Sequence, residues 1–142
     1  MECIFCMIAS AEIPASIVYE DGEVVAFLDL NPRARGHTLV IPKKHAATLA
    51  ELSEQDAKRL FAGVQRVARK LTEELGAVGV NIGLNSGSVA GQVVSHVHVH
   101  ILPRYGGESP MGFEAAFGVD EELKKKVESA PKGLIDGLSL WI

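Results

Sequence analysis

Positive charge is in short supply in this chain of 142 residues: 14 lysines and arginines stand against 18 aspartates and glutamates, for a net charge of −4 at pH 7. A general nucleic-acid-binding surface is built from a basic stripe, so that class of partner is excluded and any anionic ligand must be held by local donors. Long apolar runs are missing too. No segment approaches the ~20 residues of a membrane-spanning helix, and Met1-Glu-Cys-Ile-Phe-Cys6 has no basic leader followed by an apolar stretch. The expectation is a soluble, cytoplasmic protein with no membrane partner. Cysteine is limited to Cys3 and Cys6. A chain this long buries roughly two thirds of its unfolded surface without a disulfide framework, and in a cytoplasmic setting two thiols read as metal ligands or free groups. Repeats and low-complexity tracts are absent, so one domain is expected over residues 1–142.

What is present is a readable order of elements. A short helix is expected over Ile4 to Ala9, then strands over 16–20 and 23–29 joined at Asp21-Gly22, a pair that tolerates positive φ and so suits a tight hairpin. Asn31-Pro32 and Gly36 mark a loop, followed by a strand over 37–41 closed by Pro42. Ser53 and Asp56 resemble a capping box. The stripe Ala57, Leu60, Phe61, Val64, Ala68, Leu71, Leu75, closed by Gly76, then predicts a long helix with one buried face. Strands over 79–85 and 93–102 follow. The expected class is α+β: an antiparallel sheet of about five strands with the long helix packed on it. In the polar tail, Asp120 to Glu128 predicts a short helix with acids first and bases last, as its dipole favours. Pro131 and Gly133 end it, the lysines 124–126 read as a solvated face, and Leu138 to Ile142 is apolar enough to dock on a partner subunit or a pocket rim.

His96, His98 and His100 alternate with Val97, Val99 and Ile101. In a strand such alternation puts the three imidazoles on one face and the three aliphatics on the other. A polar outer face that happens to use histidine is the bland reading, and three in register argue against it. Metal binding by a neighbouring pair and histidine chemistry on a substrate both remain. Alternate side chains on a strand lie about 6.6 Å apart, so all three converging on one ion needs strong distortion, and a division of labour fits better.

The stretch His96-Val-His-Val-His-Ile-Leu102 resembles the histidine-triad (HIT) family signature. The resemblance extends upstream to Phe27-Leu-Asp-Leu-Asn-Pro-Arg-Ala-Arg-Gly-His37, Val40-Ile-Pro-Lys-Lys-His45 and Asn85, covering a core of residues 3–104 and leaving 105–142 as an extension. It implies a HIT-like fold, a homodimer, and two-step nucleotidyl transfer: His98 attacks the α-phosphorus of a small-molecule nucleotide, and water then hydrolyses the nucleotidyl-histidine. Imidazole suits this, since its ordinary pKa near 6.5 leaves a neutral ring nitrogen at pH 7. The resemblance further implies that the main-chain carbonyl of His96 orients His98. It places His100 and His37 around the phosphate, has Asn85 and Gln92 hydrogen-bond the phosphate or leaving group, and has Gly91 allow close backbone approach. Many relatives carry serine or threonine after the glutamine; Val93 offers only its N–H, so a changed leaving-group preference or slower turnover is expected.

Phe27, Asp29 and Leu30 match the family's nucleoside pocket, with Phe5, Ile8 and Ile13 as further apolar wall. Asp29 would accept from both ribose hydroxyls; the plainer alternative is a loop carboxylate capping Asn31-Pro32. For the apolar residues ordinary core packing is the alternative.

Cys3 and Cys6 are not expected to form a thioredoxin-type motif, which should follow a strand and open a helix. A structural zinc with two cysteine and two histidine ligands, or two packed thiols, remain. Resemblance to some prokaryotic HIT proteins implies zinc, with His45 and His96 completing the set; no organic cofactor is expected. The leading function is therefore a hydrolase or transferase acting on dinucleoside polyphosphates or nucleoside phosphoramidates. The rival is a non-catalytic nucleotide- or zinc-binding interaction module, for which Val93 is the hint.

Overall fold

The computed structural model describes residues 2–131, 133 and 136–141. The chain divides into two compact units, Met1–Pro110 and Met111–Ile142; the expected core, residues 3–104, lies within the first. Among the described residues no helix is long and apolar enough to cross a membrane.

In the first unit α1 (Ile4–Ala9) precedes β1 (Ile17–Glu20), β2 (Val24–Leu28) and β3 (Thr38–Pro42); α2 (Glu54–Leu75), β4 (Gly79–Leu84) and β5 (Val99–Arg104) follow. The sheet order is β1-β2-β3-β5-β4, with every pairing antiparallel. Its two faces carry separate cores. Val24, Ala26, Val40, Val99 and Ile101 pack with Leu60, Val64, Val67 and Leu71 of α2. On the opposite face Val25, Phe27, Leu39 and Ile41 pack with Phe5 of α1. The register aligns Phe27 with Leu39 and Leu39 with His100, which puts His100 on the α1 side.

Local chemistry accounts for the boundaries. Ser53 caps α2 by accepting from the Asp56 amide at 3.0 Å, and Gly76 closes it in the left-handed region at φ 74°. Gly63 lets the helix approach the sheet: a Cβ there would lie 2.9 Å from Val24 Cγ1. Three expectations need correcting. Phe61 is 43% exposed, while Gly63 and Val67 are buried, because the stripe rotates toward the i+3, i+4, i+7 positions counted from Leu60. The β1–β2 turn does not use positive φ at Asp21 or Gly22. Instead Asp21 Oδ1 accepts from the Glu23 and Val24 amides, both at 2.8 Å, and Oδ2 accepts from the Tyr19 hydroxyl at 2.7 Å. Finally, the last strand starts at Val99 rather than Val93. Bends at 94–96 take the backbone off the ladder, with the His96 amide bonded to Val94 O and the Val97 amide to Ala46 O. The buried alternation of Val97, Val99 and Ile101 survives.

In the second unit Asp120 caps α3 (Glu121–Glu128) by accepting from the Glu122 and Leu123 amides, as expected of the polar tail. Phe113 and Phe117 pair edge-on with centroids 5.8 Å apart, and Lys126 lies over the Trp141 ring. Ile142, read with the apolar end, lies outside the described residues.

Candidate active site

The bends before β5 separate the three histidines into two groups. His96 turns toward α1 and the β3 end, while His98 and His100 remain neighbours, ring centroids 5.2 Å apart. His96 is wholly buried. Its Nε2–H donates to the Pro42 carbonyl at 2.8 Å, so its Nδ1 carries the lone pair. That nitrogen lies 3.4 Å from Cys3 Sγ, 3.5 Å from Cys6 Sγ and 3.2 Å from His45 Nδ1; Cys6 Sγ lies 3.4 Å from His45 Nδ1. Zinc bonds of about 2.3 Å to sulfur and 2.0–2.1 Å to nitrogen, at tetrahedral angles, space the donors roughly 3.3–3.8 Å apart. The four donors Cys3, Cys6, His45 and His96 all lie within 4.8 Å of one another. Number, chemistry and spacing all fit such an ion, and the Pro42 bond fixes the His96 tautomer that a metal requires.

The same residue sets up the second group. His98 Nδ1 lies 2.8 Å from the carbonyl oxygen of His96. A carbonyl only accepts, so Nδ1 bears the proton and Nε2 of the neutral ring has the lone pair. A parallel argument fixes the other rings. The Arg33 amide donates to His37 Nδ1 at 3.0 Å, which puts the proton of neutral His37 on Nε2, 2.9 Å from His100 Nδ1. His100 therefore accepts at Nδ1 and carries its own proton on Nε2. Burial pushes the His100 pKa down to about 4, with the neighbouring His98 and His37 rings adding to the shift and Asp29 opposing it. Burial also holds His37 below its ordinary value, against the pull of Asp29, and holds His96 low despite the Pro42 carbonyl. At neutral pH His100 is thus an uncharged N–H donor, beside a His98 ring whose Nδ1 is committed to the His96 carbonyl.

Asp29 takes the loop-capping role that the sequence set against a ribose contact, and its second carboxylate oxygen faces two of the histidines. Oδ1 accepts from the Asn31 amide at 2.8 Å, the loop cap, while Oδ2 lies 3.5 Å from His37 Nε2 and 3.9 Å from His100 Nδ1. Asp29, His37 and His100 also converge closely enough to suggest a metal site. The Arg33 amide speaks against that, because it leaves His37 Nε2 protonated. A cleft of about 490 Å³ opens here, lined by Leu28, Asp29, Pro32, Arg33 and His37 among others.

Phe5 and Phe27 pack edge-on at 5.4 Å, and Phe5 also meets His98 at 5.2 Å and His96 at 6.0 Å. Ile8 packs on this cluster. Ile13 is half-buried outside it, and Leu30 is 95% exposed, in contrast to the expected apolar wall. Gly91 takes φ 93°, a conformation that favours glycine, and lies against the Asn85 amide, 3.8 Å from where its Cβ would be. Val93 is 91% exposed. Gln92 is engaged differently from the expected phosphate contact. Its Nε2 donates to Ala47 O at 2.6 Å and Val94 O at 2.9 Å, and its Oε1 accepts from the Gly87 amide at 2.7 Å. Both amide hydrogens are engaged, so it braces the loop. Sequence reasoning passed over the amide of Arg33 and the carbonyl of Pro42, main-chain groups that carry no residue-type signal.

Residues 10–107 match the HIT domain. This chain belongs to the HIT domain family. This HIT chain is 48% identical over 126 residues to an uncharacterised HIT-like protein of Methanocaldococcus jannaschii, covering 87% of the chain and 97% of that relative. It is 40% identical over 137 residues to an adenosine 5'-monophosphoramidase of Schizosaccharomyces pombe, covering 90% and 100%. Among solved structures, a zinc-bound histidine triad family protein of Mycobacterium smegmatis superposes on the HIT chain with a TM-score of 0.73 at 43% identity, covering 77% of this chain and 79% of that one.

Proposed function

We propose that this HIT chain is a nucleotide hydrolase or transferase that cleaves the α-phosphate bond of a nucleoside phosphoramidate or dinucleoside polyphosphate through a nucleotidyl-histidine. The observation that carries the reading is the 2.8 Å bond from His98 Nδ1–H to the His96 carbonyl, which leaves Nε2 as a lone pair in a site shared with an N–H donor. In the first step His98 Nε2 bonds to the α-phosphorus as the P–N or P–O bond to the leaving group breaks, and the leaving group takes up a proton from solvent. In the second, water adds to phosphorus and returns one proton to solvent, the His98–phosphorus bond breaks, and a mononucleotide departs. His100, kept neutral at pH 7 because its imidazolium titrates near 4, donates its remaining Nε2–H to a phosphoryl oxygen as a hydrogen bond. Phe5, Phe27 and Ile8 supply the apolar nucleoside wall and Asp29 the ribose contact. The phosphoramidase relative at 40% identity supports the phosphoramidate branch.

Cys3, Cys6, His45 and His96 would hold a structural zinc, whose contribution is to cross-link the N-terminal segment to the strand region without entering the reaction. A homodimer is supported by β4, an edge strand of the sheet whose Ile82 is exposed and which follows the exposed Val78. The test is intact-mass analysis after incubation with adenosine 5'-phosphoramidate. An adenylyl adduct that forms on the parent and not on His98→Gly, with turnover reduced about 10⁴-fold or more in the variant, supports the reading. Nucleotide binding with neither adduct nor released mononucleotide assigns the chain to the non-catalytic class.

A further inference from the structure

We infer that the place of Phe5 against His98, and with it that part of the nucleoside wall, depends on zinc filling the Cys3–Cys6–His45–His96 cluster, so that the nucleotide site is complete only in the metal-loaded chain. The inference rests on the function proposed above and adds its regulation. It starts from the weakness of α1. The helix has six residues, no acidic residue in its first turn and no basic residue in its last; helices shorter than about 12 residues are marginal in water. Its N-cap is the Cys3 sulfur, accepting from the Cys6 amide at 3.4 Å, a weaker acceptor than the oxygens that usually cap helices. What holds α1 must therefore be tertiary. Phe5, 7% exposed, and the half-buried Ile8 supply the apolar part. Cys3 and Cys6 supply the rest, and Phe5 lies between them in the chain.

The cluster reaches the nucleophile by two routes. One runs through the Phe5 ring, which meets both His96 and His98 edge-on. The other runs through the main chain of His96, whose side-chain Nδ1 faces the thiols while its carbonyl orients His98. The protein's own contacts within the cluster are weak thiol contacts of 3.4–3.5 Å and one contact between ring nitrogens. Four metal bonds convert those contacts into a rigid clamp on both ends of the Cys3–Cys6 turn.

The experiment compares the whole protein stripped by chelator with the same protein reloaded with zinc. Three quantities are read: zinc per chain, magnetisation transfer between labelled Phe5 and His98 rings, and affinity for AMP by calorimetry. One zinc per chain is expected on reloading. Stripping should abolish the Phe5–His98 cross-peaks and weaken AMP binding by about tenfold or more, and reloading should restore both. Phe5→Ala should still take one zinc per chain yet bind AMP about tenfold more weakly; if it fails to fold, Phe5→Leu replaces it, keeping bulk without the ring edge. Cross-peaks and AMP affinity that survive stripping overturn the inference, as does full AMP affinity in zinc-loaded Phe5→Ala. If the loaded parent binds no AMP and forms no adduct, the proposed function is what has failed, and the cross-peaks alone then decide the coupling.

Discussion

His37 Nε2 lies 2.9 Å from His100 Nδ1, and because the Arg33 amide already donates to the other nitrogen of His37, the proton in that contact belongs to His37. A single main-chain N–H thus sets the tautomers of two rings in series. His37→Ala should release His100 Nδ1 and give a mixture of tautomers, visible in ring ¹⁵N shifts at neutral pH, where the parent shows the Nε2–H form. Turnover should fall about 10–100-fold, the usual effect of removing a group that orients an essential histidine. His37→Gln, able to accept from Arg33 and donate toward His100, should retain more. An unchanged His100 tautomer in His37→Ala would refute the relay.

Stability should decline on mild acidification. His100 titrates near 4 in the folded chain against about 6.5 unfolded, so the unfolded chain takes up the proton more readily. The contribution is complete above about pH 6.5, is lost as pH falls toward 4, and is flat below that. Its full size is on the order of 2–3 kcal/mol. His37 and His96, also held low by burial, act in the same direction. Urea midpoints measured across this window with chelator present should fall steadily, and His100→Gln should flatten the slope. A midpoint independent of pH between 6.5 and 4 would rule this out.

Val93 tests how the missing hydroxyl matters. Its side chain is 91% exposed, so Val93→Ser should change stability by no more than about 0.5 kcal/mol. If a hydroxyl here donates to the phosphate or the leaving group, turnover of a phosphoramidate should rise about five- to tenfold, the equivalent of one added hydrogen bond of about 1 kcal/mol. Unchanged turnover would show that the Val93 N–H already suffices.

The elements read most easily from the sequence were those with strong local chemistry. Ser53 and Gly76 mark α2 because a cap and a left-handed residue are single-residue signals, and strand alternation placed Val97, Val99 and Ile101 inside. Apart from the β1–β2 turn, which the Asp21 carboxylate closes locally, the misread points share one cause, that tertiary contacts decide them. The rotation that exposes Phe61 is set by how closely Gly63 meets Val24, and the late start of β5 by the Val97 amide reaching Ala46 O. Within the site, the donor set of Cys3, Cys6, His45 and His96 was legible from residue type and resemblance. Its fit depends on the Pro42 carbonyl, and the tautomers of His37 and His100 on the Arg33 amide, and neither group has a side-chain signature.

Gln92 separates a loop brace from a substrate contact. Its three bonds tie Gly87, Val94 and Ala47 together around the approach to the histidines. Gln92→Ala leaves two carbonyls and one amide to find other partners, at a cost of about 1–3 kcal/mol, and each kcal/mol lowers the melting temperature of a chain this size by roughly 3–5 °C. Gln92→Glu should be no better, because a carboxylate accepts from the Gly87 amide but has no hydrogen for the two carbonyls and repels them. Both variants should melt earlier and lose activity in proportion to loop disorder. A residue that only touched substrate would behave differently: Gln92→Ala would keep the parental melting temperature and lose kcat alone. Thermal unfolding measured beside turnover distinguishes the two, and an unshifted melt would transfer Gln92 from the scaffold to the phosphate.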